Sequence, residues 1–368
     1  MSDDPAARVD RAEPWGEFCD LLKKAGDVIL REDLARDTFD RAEGHRYLLR
    51  LLRAGTQSFG ERTGPTHPRF RAMPALVKMG LDNPDNYYLG AGISAKYTYR
   101  IRGKRGTIHY MSFAAQNQNF SARDKITGGA GHLNDSEIET NADGSFEIIA
   151  SQQEQPGNWL RLAPDSSQVL LRQTFLDRSV ETPVQVEIEC LEAEGPPPPL
   201  SAEAVPGLLL GSAMYAIGCA SWFADWVIAM RDKAPMNQFH LPDEENHRVV
   251  GGDPNIRIWL GLWELADDEA LVIEVTPPKC DYWNFQLGNI WAESLDYDFR
   301  RVHINSGQAV LEDDGSFQLV VSSQDPGHPN WIDTAGHSHG TMCVRWVRAD
   351  AYPEPKCRVV KRAELGSR

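Results

Sequence analysis

Two periodicities divide the chain. Near the N-terminus apolar positions recur every three to four residues. Trp15, Phe18, Leu22, Ala25 and Ile29 mark one helix, and Thr38, Ala42, His45, Leu49 and Leu52 mark a second. Asp37 or Thr38 can cap the start of the second helix, and Gly55 can take the left-handed conformation that ends it. His45 falls on this apolar stripe and reads as a packing residue rather than a ligand.

From about residue 90 the period shortens to two. Tyr97, Tyr99 and Ile101 alternate with Thr98, Arg100 and Arg102, and a Gly103-Lys104-Arg105-Gly106 turn leads into the run 107–113, which predicts a hairpin. More strands are expected over 146–150, 168–175 and 184–190. Beyond a stiff break at Pro196 to Pro199 they resume over 256–263, 270–275, 282–287, 317–322 and 341–347. Short strands without strand–helix alternation imply a mainly β chain built from tandem β-sandwich or jelly-roll halves. An N-terminal helical segment spans 1–80, the first half 81–195, a Pro-rich break and apolar connecting helix 196–234, and the second half 235–365.

The halves repeat one motif. Asp143-Gly144-Ser145-Phe146 returns as Asp314-Gly315-Ser316-Phe317, 171 residues later, and Asn158-Trp159 returns as Asn330-Trp331, 172 residues later. Asp-Gly supplies a tight turn, the alternation a strand, and Asn-Trp an amide and an aromatic anchor at the end of the next loop. Trp159 and Trp331 should therefore occupy equivalent buried corners.

Composition narrows the partners. The chain carries 53 acidic and 38 basic residues, a net charge of -15, with the cations dispersed, so neither nucleic acid nor an anionic membrane is expected. The run 205–230 has only Asp225 as a charge and is read as a helix buried between the two domains rather than a membrane span. The start of the chain lacks a secretory pattern, which points to the cytoplasm, and Gly366-Ser367-Arg368 resembles a cloning remnant. Six scattered cysteines form no Cys-x-x-Cys pair and read as buried thiols. No nucleotide loop, dinucleotide fingerprint, Gly-x-Ser-x-Gly elbow or His-Glu-x-x-His is present, so no organic cofactor is expected.

Candidate chemistry gathers in the second half. Its Gly- and Pro-rich loop carries Asp333 and His337, a candidate acid–base pair near neutral pH. Asp333, His337 and His339 could offer three ligands to zinc, but no fourth is visible and no metal is expected. In the run from Tyr282 to Trp291, Asn284 and Gln286 would share one strand face and Trp283 the other. With Trp291, Asn330 and Trp331 these residues could bind a small-molecule or sugar-like ligand, amides orienting it and tryptophans walling the cleft. A satisfied cross-strand network would use the same amides.

The segments Gly251-Gly252-Asp253-Pro254, Glu269 to Ile273, Tyr282 to Leu287, Glu293 to Tyr297 and Asn330 to His337 resemble the domain of unknown function 1214 family. The resemblance covers roughly 235–349 and touches the first half through the repeat and through Asp82-Asn83-Pro84-Asp85-Asn86-Tyr87-Tyr88. It implies a jelly-roll-like sandwich, often in tandem, and carries no residue roles. The expectation is a cofactor-free hydrolase or lyase acting on a neutral or sugar-like substrate in a cleft of the second half. The alternative is a non-catalytic ligand-binding protein, or an assembly protein whose duplicated scaffold forms a homo-oligomer.

Overall fold

A computed structural model describes residues 4–61, 64–72, 78–117, 127–243 and 252–365. Gly251 and the tail from Gly366 lie outside these. Helices α1 (Pro5–Asp10), α2 (Glu13–Ala25) and α3 (Thr38–Gly60) precede the sheets, and α4 (Val205–Met230) connects the halves.

The first half contains β1 (Arg71–Ala72), β2 (Asn86–Gly92), β3 (Tyr99–Lys104), β4 (Tyr110–Asn117), β5 (Thr127–Asn134), β6 (Ser145–Ser151), β7 (Trp159–Arg161), β8 (Gln168–Thr174) and β9 (Gln185–Cys190). The second contains β10 (Gln238–His240), β11 (Ile256–Glu264), β12 (Glu269–Val275), β13 (Tyr282–Gly288), β14 (His303–Asn305), β15 (Phe317–Ser322), β16 (Trp331–Asp333), β17 (His339–Val347) and β18 (Lys356–Lys361). One five-stranded sheet runs β1-β2-β8-β4-β5 and its counterpart β10-β11-β17-β13-β14. The four-stranded sheets run β7-β6-β3-β9 and β16-β15-β12-β18. The strand order is the same in both halves, including the parallel pairs β6–β7 and β15–β16, so the duplication extends to topology.

Alternation decides which side of each sheet is core. Along β4, Met111, Phe113 and Ala115 enter the first sandwich, while Tyr110 faces Tyr282, Ile256 and Val347 across the junction of the halves. Trp283, Phe285 and Leu287 of β13 likewise enter the second core beside Trp346 and Phe317. Each such large apolar side chain stabilises its sandwich by roughly 1.5–3 kcal/mol.

Three expectations need correction. The residues 97–113 do not form a hairpin: β3 pairs with β6 and β9, and β4 with β5 and β8, so the turn crosses from one sheet to the other. Gly106 permits the crossing, since a Cβ there would sit 2.0 Å from the Thr182 carbonyl oxygen. The second helix runs through Gly55 to Gly60, because Gly55 serves close helix packing: its Cβ would lie 2.5 Å from Ser212 O of α4. The buried face of that helix is also rotated from the expected stripe. It carries Asp40, Glu43, Tyr47, Leu51 and Ala54, and leaves His45 and Leu49 exposed.

The apolar α4 is long and apolar enough to cross a membrane, by length and composition. It packs against α2 and α3, and its Cys219, Phe223 and Val227 join a cluster with Leu260, Leu262 and Cys343 of the second five-stranded sheet. It thus lies in a helical layer over one sheet and does not separate the two sandwiches.

Candidate functional site

The helix α3 is held on the second sandwich by a face that mixes apolar and charged groups. Asp37 caps its start by accepting from the Asp40 amide at 2.9 Å. Gly44 leaves room for the Trp291 indole, which would meet a Cβ there at 2.6 Å, and Trp291 Nε1 donates to the Asp40 carbonyl at 2.8 Å. That seat carries Asp40 and Glu43, one turn apart, onto the loops of the second half.

Two loops meet them. After β13, Asn289 Oδ1 accepts from the amides of Trp291 (3.0 Å) and Glu293 (3.1 Å), so the loop folds around this amide. Asn289 Nδ2 then donates to Glu43 Oε2 at 3.0 Å and to Glu293 Oε2 at 2.9 Å. Arg50, two turns along α3 from Glu43, meets Glu293 Oε1 at 2.5 Å. Before β17, Ala335 (φ 53°) and Gly336 (φ 85°) turn the chain back, and the His337 amide donates to the Thr334 carbonyl at 3.0 Å.

His337 joins the two elements. Its Nδ1 lies 3.0 Å from the Thr334 carbonyl oxygen and its Nε2 2.6 Å from Glu43 Oε2. A carbonyl oxygen can only accept, so Nδ1 carries a proton, and a second proton is shared between Nε2 and Glu43. Burial pushes the Glu43 carboxyl up, but the hydrogen bond and charge of His337, with Asn289 and Arg46, outweigh it and hold Glu43 below its ordinary value. His339 Nε2 contacts Asp40 Oδ2 at 3.2 Å, and the Asp40 carboxyl is held low in the same way, burial being outweighed by His339 and the Arg36 amide.

Beside the pair is a cavity of about 180 Å³, lined in part by Phe39, Glu43, Arg46, Arg50, Lys78 and Asn289. Arg300, Asp296, Ala335 and His337 complete much of its wall. Lys78 is only 5% exposed; its ammonium donates to the Ser294 (2.9 Å) and Leu295 (2.5 Å) carbonyls and sits 4.4 Å from the centre of the Tyr297 ring. Burial pushes the Lys78 ammonium below its usual range and the Glu293 carboxyl above its own.

Similar proteins bear on this arrangement. A sequence profile described as protein of unknown function (DUF1214) matches residues 88–174 and 267–351. The crystal structure of an uncharacterized protein from Burkholderia cenocepacia matches 98% of this chain and 100% of its own at 41% identity, with a TM-score of 0.93. The chain belongs to the DUF1214 family. Its two DUF1214 segments fall one in each sandwich, so the first half belongs to the resemblance as fully as the second. The VPA0106 protein from Vibrio parahaemolyticus is 12% identical over 86% of this chain and 97% of its own, with a TM-score of 0.49. No curated protein matches.

The second DUF1214 segment supplies Asn289, Glu293, His337 and His339, while Asp40, Glu43 and Arg50 come from α3, outside both matches. The residues singled out in the sequence are distributed over five places. His337 faces the cavity and Trp291 packs under α3 behind it. Asp333 is turned away from His337: Arg300 takes its Oδ2 at 2.8 Å and the Ala335 amide donates to its Oδ1. Among the described residues no group of three His, Cys, Asp or Glu side chains is arranged to hold a metal, and His337 and His339 contact different carboxylates.

Asn284 and Gln286 lie between the halves. Asn284 donates to Asn83 Oδ1 at 2.9 Å, Gln286 donates to the Asp82 carbonyl at 2.9 Å, and Arg345 donates to both amide oxygens. Trp283 is in the sandwich core. Asn330 bonds the Val310 amide and carbonyl and the Gln318 carbonyl, as Asn158 bonds Glu139 and Glu147. Trp331 Nε1 donates to Ser322 and Trp159 Nε1 to Ser151, each carbonyl at 3.1 Å. These corners are equivalent in the two halves, but they are not buried as expected: both indoles are only half-buried, each lying at the edge of its four-stranded sheet.

The residues missed in the sequence are Asp40, Glu43, Arg50, Lys78, Asn289 and Glu293. One signal pointed to three of them: Asp40, Glu43 and Arg50, with Tyr47, share a helical face at steps of three and four.

Proposed function

We propose that the cleft between α3 and the second sandwich is an active site, and that the protein is a hydrolase or lyase in which Glu43, positioned by His337, moves the proton. The observation that carries this reading is the 2.6 Å contact between Glu43 Oε2 and His337 Nε2 in the wall of the cavity. Oε2 also accepts from Asn289, whereas Oε1 is covered by Arg46 at 2.6 Å, and the Arg46 side chain is half exposed. A ligand that draws Arg46 aside frees Oε1 to take a proton from substrate or from water. His337 and Asn289 meanwhile hold the carboxylate in place, and Oε1 returns the proton to the leaving group. Positioned proton transfer of this kind contributes about 10²- to 10⁴-fold in rate.

The test is conversion of a panel of small hydroxy acids, oxo acids, esters and lactones, followed by proton NMR of the mixture. Wild-type protein should convert one class, and Glu43→Gln should bind it but not convert it. Equal conversion by Glu43→Gln would refute the assignment. One observation favours binding without turnover: both His337 ring nitrogens already face protein acceptors. A ligand that binds in the cavity and emerges unchanged would select that second reading.

A further inference from the structure

We infer that the ligand of this cavity is a small anion, a metabolite bearing a carboxylate or a phosphate, rather than a neutral or sugar-like molecule. This rests on the cavity being the ligand site, but not on any reaction occurring there.

The cavity wall runs against the charge of the whole protein. In a chain with a net charge of -15, the lining carries four basic side chains, Arg46, Arg50, Lys78 and Arg300, against two acids, Glu43 and Asp296. Each arginine does touch a carboxylate: Arg46 meets Glu43, Arg50 meets Glu293 and Arg300 meets Asp333. Each of these contacts engages one terminal nitrogen, and a guanidinium has five N–H donors in a planar fork that fits a second carboxylate or phosphate.

Lys78 supplies the second, independent observation. Its ammonium is buried at the cavity wall, yet both its hydrogen bonds go to neutral backbone carbonyls. Asp82, Glu293 and Asp296 act on it through space, but among the described residues no carboxylate hydrogen-bonds it. A buried cation without a bonded counter-ion is costly, and an anion in the cavity would relieve that cost. The space, about 180 Å³, is of a size for a small metabolite.

The experiment is isothermal titration calorimetry of the full chain with succinate, inorganic phosphate and succinamide, the last being the uncharged analogue of the first. Succinate or phosphate should bind at one site, more weakly as salt is raised, and succinamide should not bind. The stronger of the two anions identifies the group recognised. Arg300→Gln, at a half-exposed position, should weaken binding about tenfold, the loss expected for one charge-assisted hydrogen bond. Arg46→Gln provides a second variant that does not depend on the core. Absence of binding by both anions, equal binding of succinamide, or full affinity in both variants would overturn the inference. If the anion binds as described while Glu43→Gln leaves turnover intact, the anion site stands and the acid–base assignment falls.

Discussion

Tyr110 Oη donates to Asp253 Oδ2 at 2.9 Å, tying a strand of the first half to the turn that opens β11 of the second. The second half returns the contact. Tyr282, which occupies the place of Tyr110 on β13, donates to Asp85 at 2.6 Å, and Asn83 occupies the place of Asp253. Both turns have an Asx residue accepting from the amide two positions on, Asp253 from Asn255 and Asn83 from Asp85. Ser112 and Asn284, two residues beyond the tyrosines, donate to Asp253 and Asn83 at 2.6 and 2.9 Å. His132 and His303 stand at the same register and approach Asp253 at 3.0 Å and Asp85 at 3.2 Å. Each half therefore lends the other a turn. The amides Asn284 and Gln286 belong to this junction.

Tyr110→Phe should cost about 1.5–3 kcal/mol, the usual loss for a hydrogen bond to a charged group. Burial works against the Asp253 carboxylate, and His132, Arg172 and Ser112 hold it charged, so removal of the tyrosine donor leaves a buried ion short of a partner. Tyr282→Phe should cost a similar amount, read from urea unfolding curves. A change below about 0.5 kcal/mol in both, typical of an indifferent surface site, would show that the exchanged turns do not hold the halves together.

Asn330→Ala should destabilise by about 2–3 kcal/mol, since the buried amide makes three hydrogen bonds to main chain, each worth roughly 1 kcal/mol net. Asn158→Ala, with equivalent contacts around a half-exposed amide, should cost less, about 1 kcal/mol. Neither should alter ligand affinity. Loss of binding by Asn330→Ala at unchanged stability would instead mark Asn330 as a ligand contact.

What was legible in the sequence was local. Asp143-Gly144-Ser145 and Asp314-Gly315-Ser316 announce their turns because the required groups are adjacent: each aspartate accepts from the serine amide two residues on, and each glycine has φ near 80°. Glu43 was not legible, because its partner is 294 residues away and because a buried acid on a helix resembles a solvent-facing one. The stripe through Ala42, His45 and Leu49 competed with it, and only the docking of Trp291 on Gly44 selects the face that is buried. The run 97–113 failed as a hairpin for a related reason. A turn between two strands does not reveal whether they share a sheet.

Gly55→Ala tests the helical layer over the second sheet. The new methyl would meet the Ser212 backbone oxygen at 2.5 Å, an atom that cannot rotate away. Overpacking of this kind costs typically about 1–3 kcal/mol, although alanine favours a helix interior more than glycine does. A stabilised variant in thermal unfolding would mean that α3 and α4 are not in close contact at this point.

Acid should loosen α3. Glu43 and Asp40 are both held below their ordinary values, so the charged forms stabilise the fold above the unfolded carboxylate range, and that contribution is lost as pH falls through the folded values. Glu293, raised by burial, acts in the opposite direction and partly offsets the loss. Melting temperatures of wild type and Glu43→Gln should differ most near neutral pH and converge only as the pH falls below the ordinary carboxylate range and through the lowered folded value of Glu43. A difference that persists undiminished into acid would contradict the ion-pair assignment.

The most direct test of the account is a crystal structure of the protein with a small carboxylate or phosphate ligand bound. The account predicts the anionic group against Arg300, Arg46 or Lys78 in the cavity beside α3. The remainder of the ligand should lie within hydrogen-bonding reach, about 2.6–3.2 Å, of Glu43 Oε1 or its Arg46 cover. A ligand held instead among Asn284, Gln286 and Arg345 at the junction of the halves, or found only on the outer surface with the cavity empty, would contradict it.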